Sequence, residues 1–299
     1  MNYVVFDLEW NGCFSSRLHS HINEIIEFGA VKLNESMEIT GRFSCLIRPV
    51  ISTRLASTVR TLTSLSYEQI KKGVPFEYGL NKFRKFAEGC VLMTWSTTDI
   101  DTLVNNLRYH KRLETIPFMK KYVDLQLYCH DMLGLSGKNA LGLQTAADIL
   151  GLDTDNIPHH RALGDSIITA MCLQRLFHRA ALESYTENCG SEFYKKLFFR
   201  TMTIEKLDSE YTNLRGIFFN CPECGGRARR KGKWKEKFKG FGAPFVCRHC
   251  GYEFIGSASI KRKYDSTLIS KKVVRYYHPS EELQENTEKN TENGNLPLR

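Results

Sequence analysis

The sequence contains no apolar run approaching the roughly 18 residues that a membrane span requires. Nor does it begin with a secretory signal, because its early apolar stretch, Tyr3 to Phe6, is cut short by Asp7 and Glu9. These two absences make a cytoplasmic, membrane-free protein the expectation. There is no internal repeat beyond two pairs of cysteines. The first 199 residues also lack a charge imbalance, with 22 Lys/Arg against 21 Asp/Glu. What is present is an ordinary globular composition, 42% hydrophobic and 25% charged over 299 residues, a length that suits about two domains. The net charge of +9 is concentrated elsewhere: residues 200–278 carry 18 basic against 7 acidic residues, and 279–299 carry 2 against 5. A basic region of this kind is an electrostatic footprint for a polyanion, of which nucleic acid is the commonest.

Ten cysteines would suit a disulfide framework in a secreted chain, but their placement argues for another use. Cys13, Cys45, Cys90, Cys129, Cys172 and Cys189 stand alone, several in apolar segments where a reduced thiol packs as a small hydrophobe. The other four form Cys221-Pro222-Glu223-Cys224 and Cys247-Arg248-His249-Cys250, each followed by glycine. A C-x-x-C arc lets one loop supply two of the four thiolates that tetrahedral Zn²⁺ takes at about 2.3 Å, and the glycine permits the tight turn. A thioredoxin-type redox pair is the rival reading, and two pairs separated by 22 residues argue against it. His249 is an alternative ligand, though its place inside the knuckle disfavours it. The pattern is similar to zinc ribbons at large and predicts one structural Zn²⁺ on Cys221, Cys224, Cys247 and Cys250.

Upstream, strand and helix signals alternate. Tyr3–Phe6, Glu27–Leu33, Phe43–Ile47, Val91–Trp95 and Tyr122–Leu127 read as strands. Tyr67–Lys72, Phe76–Glu88, Leu141–Leu150 and Ala162–Leu176 read as helices, and Asp99 reads as the cap of another carrying Leu103, Val104 and Leu107. Three opening strands followed by alternating helices and strands predict an α/β fold with a mixed sheet flanked by helices. The expected organisation is an α/β domain over residues 1–182, a helical linker over 183–214, a cysteine module over 215–278 and a disordered Glu/Asn/Thr-rich tail over 279–299.

Asp7 and Glu9, one residue apart, share one face of a strand. Two like charges side by side in an apolar strand are costly unless cations neutralise them; the plainer alternative is a solvated strand end. Asp99 follows the apolar strand that ends at Trp95, where a helix cap is the competing reading and Asp101 a competing residue. His160 and Asp165 flank the start of a helix, a pair that taken alone reads as a surface pair or a cap.

Taken in order, Asp7-x-Glu9, Asp99 and His160-x4-Asp165 resemble the three motifs of the DEDDh exonucleases. Thr94-Trp95-Ser96-Thr97-Thr98-Asp99 is similar to the second motif of the KapD and histone-mRNA-exonuclease branch, without the Asn that replicative proofreaders carry four residues before the Asp. Leu62-Thr63-Ser64-Leu65-Ser66 resembles the Leu-Thr-x-Ile-Thr stretch between the first two motifs. One departure is Trp10, where many members carry Thr; it either stacks on a base or belongs to the core. The resemblance covers residues 1 to about 180. It implies a ribonuclease H-like fold and 3′→5′ release of nucleoside monophosphates from a nucleic-acid 3′ end, single-stranded by expectation, with RNA slightly favoured over DNA. It also implies two Mg²⁺ or Mn²⁺ ions on Asp7, Glu9, Asp99 and Asp165, with His160 as general base.

Between the cysteine pairs, basic residues alternate with aromatics. Arg229, Arg230, Lys231, Lys233, Lys235 and Lys237 can meet phosphates, and Trp234 can stack on bases. The alternative is a soluble hairpin whose aromatics pack on the zinc core, which is the expectation for Phe238 and Phe245; a protein partner is a third. Two other function classes compete with a nuclease. One is an inactive nucleic-acid-binding protein, against which the complete acid set argues. The other is a His-Asp phosphohydrolase, which needs adjacent His-Asp ligands where this chain has His159-His160.

Overall fold

The computed structural model describes residues 1–136 and 140–275, so the tail expected over 279–299 lies outside the described residues. The chain divides into two units, Met1–Phe198 and Phe199–Arg299. No helix among the described residues is long and apolar enough to cross a membrane.

The N-terminal unit begins with a long hairpin: β1 (Tyr3–Ser15) pairs antiparallel with β2 (Ser20–Leu33), and β3 (Ile39–Leu46) adds to β2. Helices α1 (Ser57–Thr63), α2 (Tyr67–Lys71) and α3 (Phe76–Phe86) return the chain to β4 (Val91–Thr94), which runs parallel to β1 on its other side. Next come α4 (Thr98–Lys111), β5 (Lys121–Asp124), α5 (Leu125–Met132), α6 (Leu143–Ile149) and α7 (Ala162–Leu176). The unit closes with α8 (Arg179–Ser184), β6 (Glu187–Asn188) and α9 (Ser191–Phe198). Its strands form one mixed sheet in the order β3-β2-β1-β4-β5-β6.

Alternation along β1 sorts its side chains between two cores. Val4, Phe6 and Leu8 pack with Leu80 and Phe83 of α3 and Leu103, Val104 and Leu107 of α4. Tyr3 and Val5 pack on the opposite face with Tyr128 of α5 and Ile168, Cys172 and Leu173 of α7. Asp7 and Glu9 share the parity of Tyr3 and Val5, so the sheet turns both acids toward α7. Between Glu9 and Trp10 the pairing shifts, leaving Ile26 without a partner on β1. Ile26 packs instead with Leu65 and Ile70, beside α2.

Three expectations need revision. The first strand does not end at the acids; β1 continues to Ser15 because β2 supplies a ladder along its whole length. The strand expected through Leu127 stops at Asp124, whose carboxylate accepts from the Leu127 amide at 3.1 Å and caps α5. The stretch 183–214 is divided between the units. α9 buries Phe193 and Tyr194 in the N-terminal core, and the Ile116 amide donates to the Tyr194 hydroxyl at 3.0 Å. Residues 202–204 instead form β7 (Met202–Ile204) of the second sheet.

In that C-terminal unit, β8 (Ala228–Arg230), β9 (Lys235–Lys237), β10 (Gly240–Cys247), β11 (Glu253–Arg262) and β12 (Thr267–Arg275) are antiparallel. The order is β12-β11-β10-β8, with β7 paired to β11 and β9 to β10. Phe219, Trp234, Phe241, Phe245, Phe254 and Ile260 dominate its single core.

Candidate functional site

Three elements deliver carboxylates to one place. Across the hairpin, Asp7 lies opposite Gly29 and Glu9 opposite Glu27. Gly29 is where α7 lands: a Cβ at that position would lie 2.0 Å from the carbonyl carbon of Ala162. A residue without a side chain is therefore needed for the helix to start directly on the strand. Asp165, in the first turn of α7, is thereby brought to Asp7 and Glu9, and all three offer oxygens within 4.8 Å of one another.

Asp99 arrives from another direction. β4 pairs with β1 only along Tyr3–Val5, which leaves the amide of Leu8 without a ladder partner on that side. That amide donates to Oδ1 of Asp99 at 3.1 Å, fixing a carboxylate that is 5% exposed. The helix-cap reading of Asp99 is thus corrected: the N-cap of α4 is Thr97, and Asp99 sits inside the first turn. Asp101 is occupied elsewhere, its carboxylate accepting from the side-chain Nδ2 of Asn105 at 3.2 Å.

Crowding these acids raises their affinity for protons. Glu9 is pushed up to about 8 by burial and then by Asp165 and Glu27. Asp99 is pushed up to about 7 by burial, partly offset by the Leu8 amide. Burial, then Asp99 and Asp165, holds Asp7 well above the usual carboxylate range. Asp165 is raised by burial against the pull of His160 and His159. Cations reverse this logic, because a bound divalent ion favours every ionised carboxylate around it. An all-oxygen set of this size fits a hard divalent cation.

Two residues were not singled out in the sequence. Glu27, 1% exposed, receives both Nε (2.9 Å) and Nη2 (2.8 Å) of Arg161, the residue that immediately precedes α7. The available signal was an isolated acid in the apolar run Ile25–Val31, on the same face as Glu9 once the hairpin closes. Next to Arg161, His160 is exposed, with φ +53°, in the left-handed region. It lines an open pocket of about 430 Å³ with His159, Asp165 and the first turn of α6. Trp10 is half-buried against the core on the α3/α4 side.

The four paired cysteines also converge. Cys221 Sγ lies 3.6 Å from Cys250 Sγ, and Cys224 Sγ lies 3.4 Å from both Cys247 Sγ and Cys250 Sγ. A tetrahedron with 2.3 Å metal–sulfur bonds has edges of about 3.8 Å, close to these separations, whereas a disulfide would need about 2.05 Å. Gly225 (φ +71°) and Gly251 (φ +75°) close the knuckles. Amides turn onto the sulfurs: Glu223 onto Cys221 at 3.4 Å, and His249 and Cys250 onto Cys247 at 3.3 and 3.5 Å. The Cys250 amide first, and then that of His249, lower the Cys247 thiol to about 6, while Cys250, eased down by the Tyr252 amide, is held up at about 12 by its contacts with the other three sulfurs. His249 is exposed and is not among the grouped ligands.

In the basic hairpin, Arg229, Arg230, Lys231, Lys233, Lys235 and Lys237 are exposed, and Lys231 pairs with Glu253 at 2.5 Å. The aromatic assignment is reversed. Trp234 is 9% exposed and packs edge-on to Phe245 at 5.9 Å, so it does not offer a free stacking face. A small unit with few apolar residues takes its largest ring into the core. Phe238, expected in the core, is instead 88% exposed, while Phe245 is buried as expected.

A family model described as Exonuclease (RNase T) matches residues 4–173. Human (Homo sapiens) ERI1 exoribonuclease 2 is 25% identical over 248 residues, covering 71% of this chain and 34% of that protein. The PolC-type DNA polymerase III of Caldanaerobacter subterraneus subsp. tengcongensis is 27% identical over 214 residues, covering 69% of this chain and 13% of that one. The chain thus spans about a third or less of the length of these curated relatives. Among solved structures, the nuclease domain of 3′hExo, a DEDDh family member bound to rAMP, is similar with TM-score 0.50 and 25% identity, over 58% of this chain and 90% of that one. A 3′-exonuclease solved for its 3′-end specific recognition of a histone mRNA stem-loop shares the fold, with TM-score 0.53 and 22% identity, over 64% of this chain and 91% of that one.

Proposed function

Since the chain belongs to the exonuclease (RNase T) family, we propose that it is a 3′→5′ exonuclease that hydrolyses nucleic-acid phosphodiesters and releases nucleoside 5′-monophosphates. The observation that carries this reading is the convergence of Asp7, Glu9 and Asp165 within 4.8 Å, with Asp99 held beside them by the Leu8 amide. Asp7 would serve both of two Mg²⁺ or Mn²⁺ ions, Glu9 and Asp165 one of them, and Asp99 the other, directly or through water. When bound, such a pair stabilises both the attacking and the leaving oxygen of an in-line displacement. His160 takes the proton from the attacking water as the new phosphorus–oxygen bond forms and the bond to the departing 3′ oxygen breaks. Arg161, paired with Glu27, keeps a fifth charge, the Glu27 carboxylate, from joining the acid set uncompensated.

RNA is favoured over DNA because human ERI1 exoribonuclease 2, among the similar relatives, carries an exoribonuclease name, although a DNA polymerase is similar as well. Cys221, Cys224, Cys247 and Cys250 hold one structural Zn²⁺, and the basic residues Arg229, Arg230, Lys231, Lys233, Lys235 and Lys237 meet the phosphate backbone. The cytoplasm suits four reduced thiols serving as metal ligands. The test is incubation of 5′-labelled RNA and DNA oligomers, single- and double-stranded, with Mg²⁺. A ladder of shortened products is expected, strongest for single-stranded RNA. Intact oligomers bound without cleavage would replace the enzyme by a nucleic-acid-binding protein.

A further inference from the structure

The turn between β9 and β10 departs from what a hairpin needs for its own stability. Lys237 pairs with Gly240, so only Phe238 and Lys239 form the loop. Two-residue hairpin loops favour glycine or asparagine where φ is positive, yet Lys239 adopts φ +58°. Beside it, Phe238 presents a ring that is 88% exposed. Phe241, Phe245 and Phe254 of the strands and Trp234 of the preceding turn are instead buried together. A lysine held in the left-handed conformation costs folding energy, and its pairing with a ring left wholly outside the core points to use at the tip.

The charges around the tip indicate what that use is. Lys233, Lys235, Lys237 and Lys239 are all exposed. Glu236, the acid among them, is turned away: it accepts from the Leu207 amide at 2.8 Å and pairs with Lys206 at 3.4 Å. The stem of Lys237 lies across Gly242, where a Cβ would come within 2.4 Å of its Cε, so this cation is guided along the hairpin toward Lys235, the strand partner of Gly242. The ammonium of Lys239 stands 5.0 Å from the centre of the Phe238 ring.

We propose that the Phe238–Lys239 turn is a stacking finger for an unpaired nucleobase, with Lys235, Lys237 and Lys239 holding the flanking phosphates of a single strand. An aromatic face accepts any base, and duplex bases are already stacked, so the finger selects single strands without selecting sequence. This inference rests on the nucleic-acid reading of the chain but does not depend on catalysis.

The test uses the full chain without added Mg²⁺ or Mn²⁺, and a gel confirms that the oligomer stays intact. Affinity for a labelled 20-nucleotide single-stranded RNA, and for an abasic strand of equal length, is measured across a salt series. Phe238→Ala is expected to weaken binding of the normal strand roughly tenfold or more without changing the salt slope. Phe238→Tyr should restore it, and neither should alter binding of the abasic strand. Lys235→Ala with Lys237→Ala should flatten the salt slope by about 0.7 per lost contact. Because Phe238 is exposed, its variants should melt with the parent. Equal affinities of parent and Phe238→Ala, or the same loss on the abasic strand, would overturn the finger, as would a parent with no affinity for single strands, which would leave the tip to a protein partner. Cleavage of a trinucleotide with Mg²⁺, measured separately, reports on the nuclease reading alone.

Discussion

In the N-terminal unit, four carboxylates crowd against a sheet whose two faces are already filled by large apolar clusters. In the C-terminal unit, four thiols stand beside a single small core built round Phe241, Phe245 and Phe254. The acids oppose the fold that holds them: burial and mutual repulsion raise all four above their ordinary proton affinities. The thiols meet a backbone already shaped to them, since amides converge on Cys221 and Cys247 and the knuckle turns are closed by glycines. Removing ions should therefore relax the first unit's chemistry and leave its fold, but dissolve the second unit's fold.

The largest effect is expected from Cys221→Ser. Structural zinc contributes roughly 10–16 kcal/mol in small modules, so the variant should lose its ion and the amide protection of β8 to β12. Protection of β1 to β5 should persist. One bound zinc per mutant chain by native mass spectrometry would rule out the four-thiol site.

Asp7→Asn takes the opposite course, abolishing turnover while ion-free stability holds or rises. The pH dependence sharpens this contrast. Because the folded-state values of Glu9 (about 8) and Asp99 (about 7) exceed their ordinary ones, the ion-free native state binds more protons than the unfolded chain. Its stability is complete below about pH 4 and declines as pH rises toward 8. Thermal melts from pH 4.5 to 9 should show that decline, and saturating Mn²⁺ or the Asp7→Asn change should flatten it. A melting temperature independent of pH in ion-free protein would contradict the crowding.

His160→Ala should cost on the order of 10²–10⁴ in rate with little change in ion affinity. His159→Ala should cost far less, although both side chains line the same pocket. Rates at saturating Mg²⁺ from about pH 5.5 to 9 decide between them. If the His159 variant is the crippled one, the register of the third motif is wrong.

A smaller effect tests the Glu27–Arg161 pair. Arg161→Met leaves a buried carboxylate unpaired beside the acid set and should cost about 3–5 kcal/mol. Adding Glu27→Gln should recover most of that loss, as denaturant midpoints would show. A double variant no more stable than the single one would mean that Arg161 acts through packing alone.

How much of this was legible in the sequence depended on the length over which a signal acts. The parity of Asp7 and Glu9 is local, so their shared face could be read directly. Asp99 could not, because its place depends on where β4 leaves β1 and frees the Leu8 amide. The long arm of β1 and β2 was missed because Asn11, Gly12, Ser15 and Ser16 break the apolar alternation that marks a strand. The arm is held instead by polar contacts: the buried Glu24 accepts from the amides of Val50, Ile51 and Ser52 at 2.5, 2.7 and 2.9 Å. Trp234 and Phe238 share a parity, so periodicity assigns them to the same face. A two-residue turn placed Phe238 at the tip and left Trp234 to the core.

The hydrogen bond from Leu8 to Asp99 joins positions 91 residues apart, and it gives the acid cluster a gauge of its own. Backbone protons in a sheet ordinarily exchange with solvent at a rate set by their neighbouring strand. The proton on Leu8 answers instead to a side chain, beyond the short stretch of β1 that β4 covers. Its exchange lifetime, compared with those of Phe6 and Trp10, registers whether the Asp99 carboxylate is in place, in a protein that is neither turning over nor unfolding. A single amide resonance thus turns the placement of the Asp99 carboxylate into a clock reading.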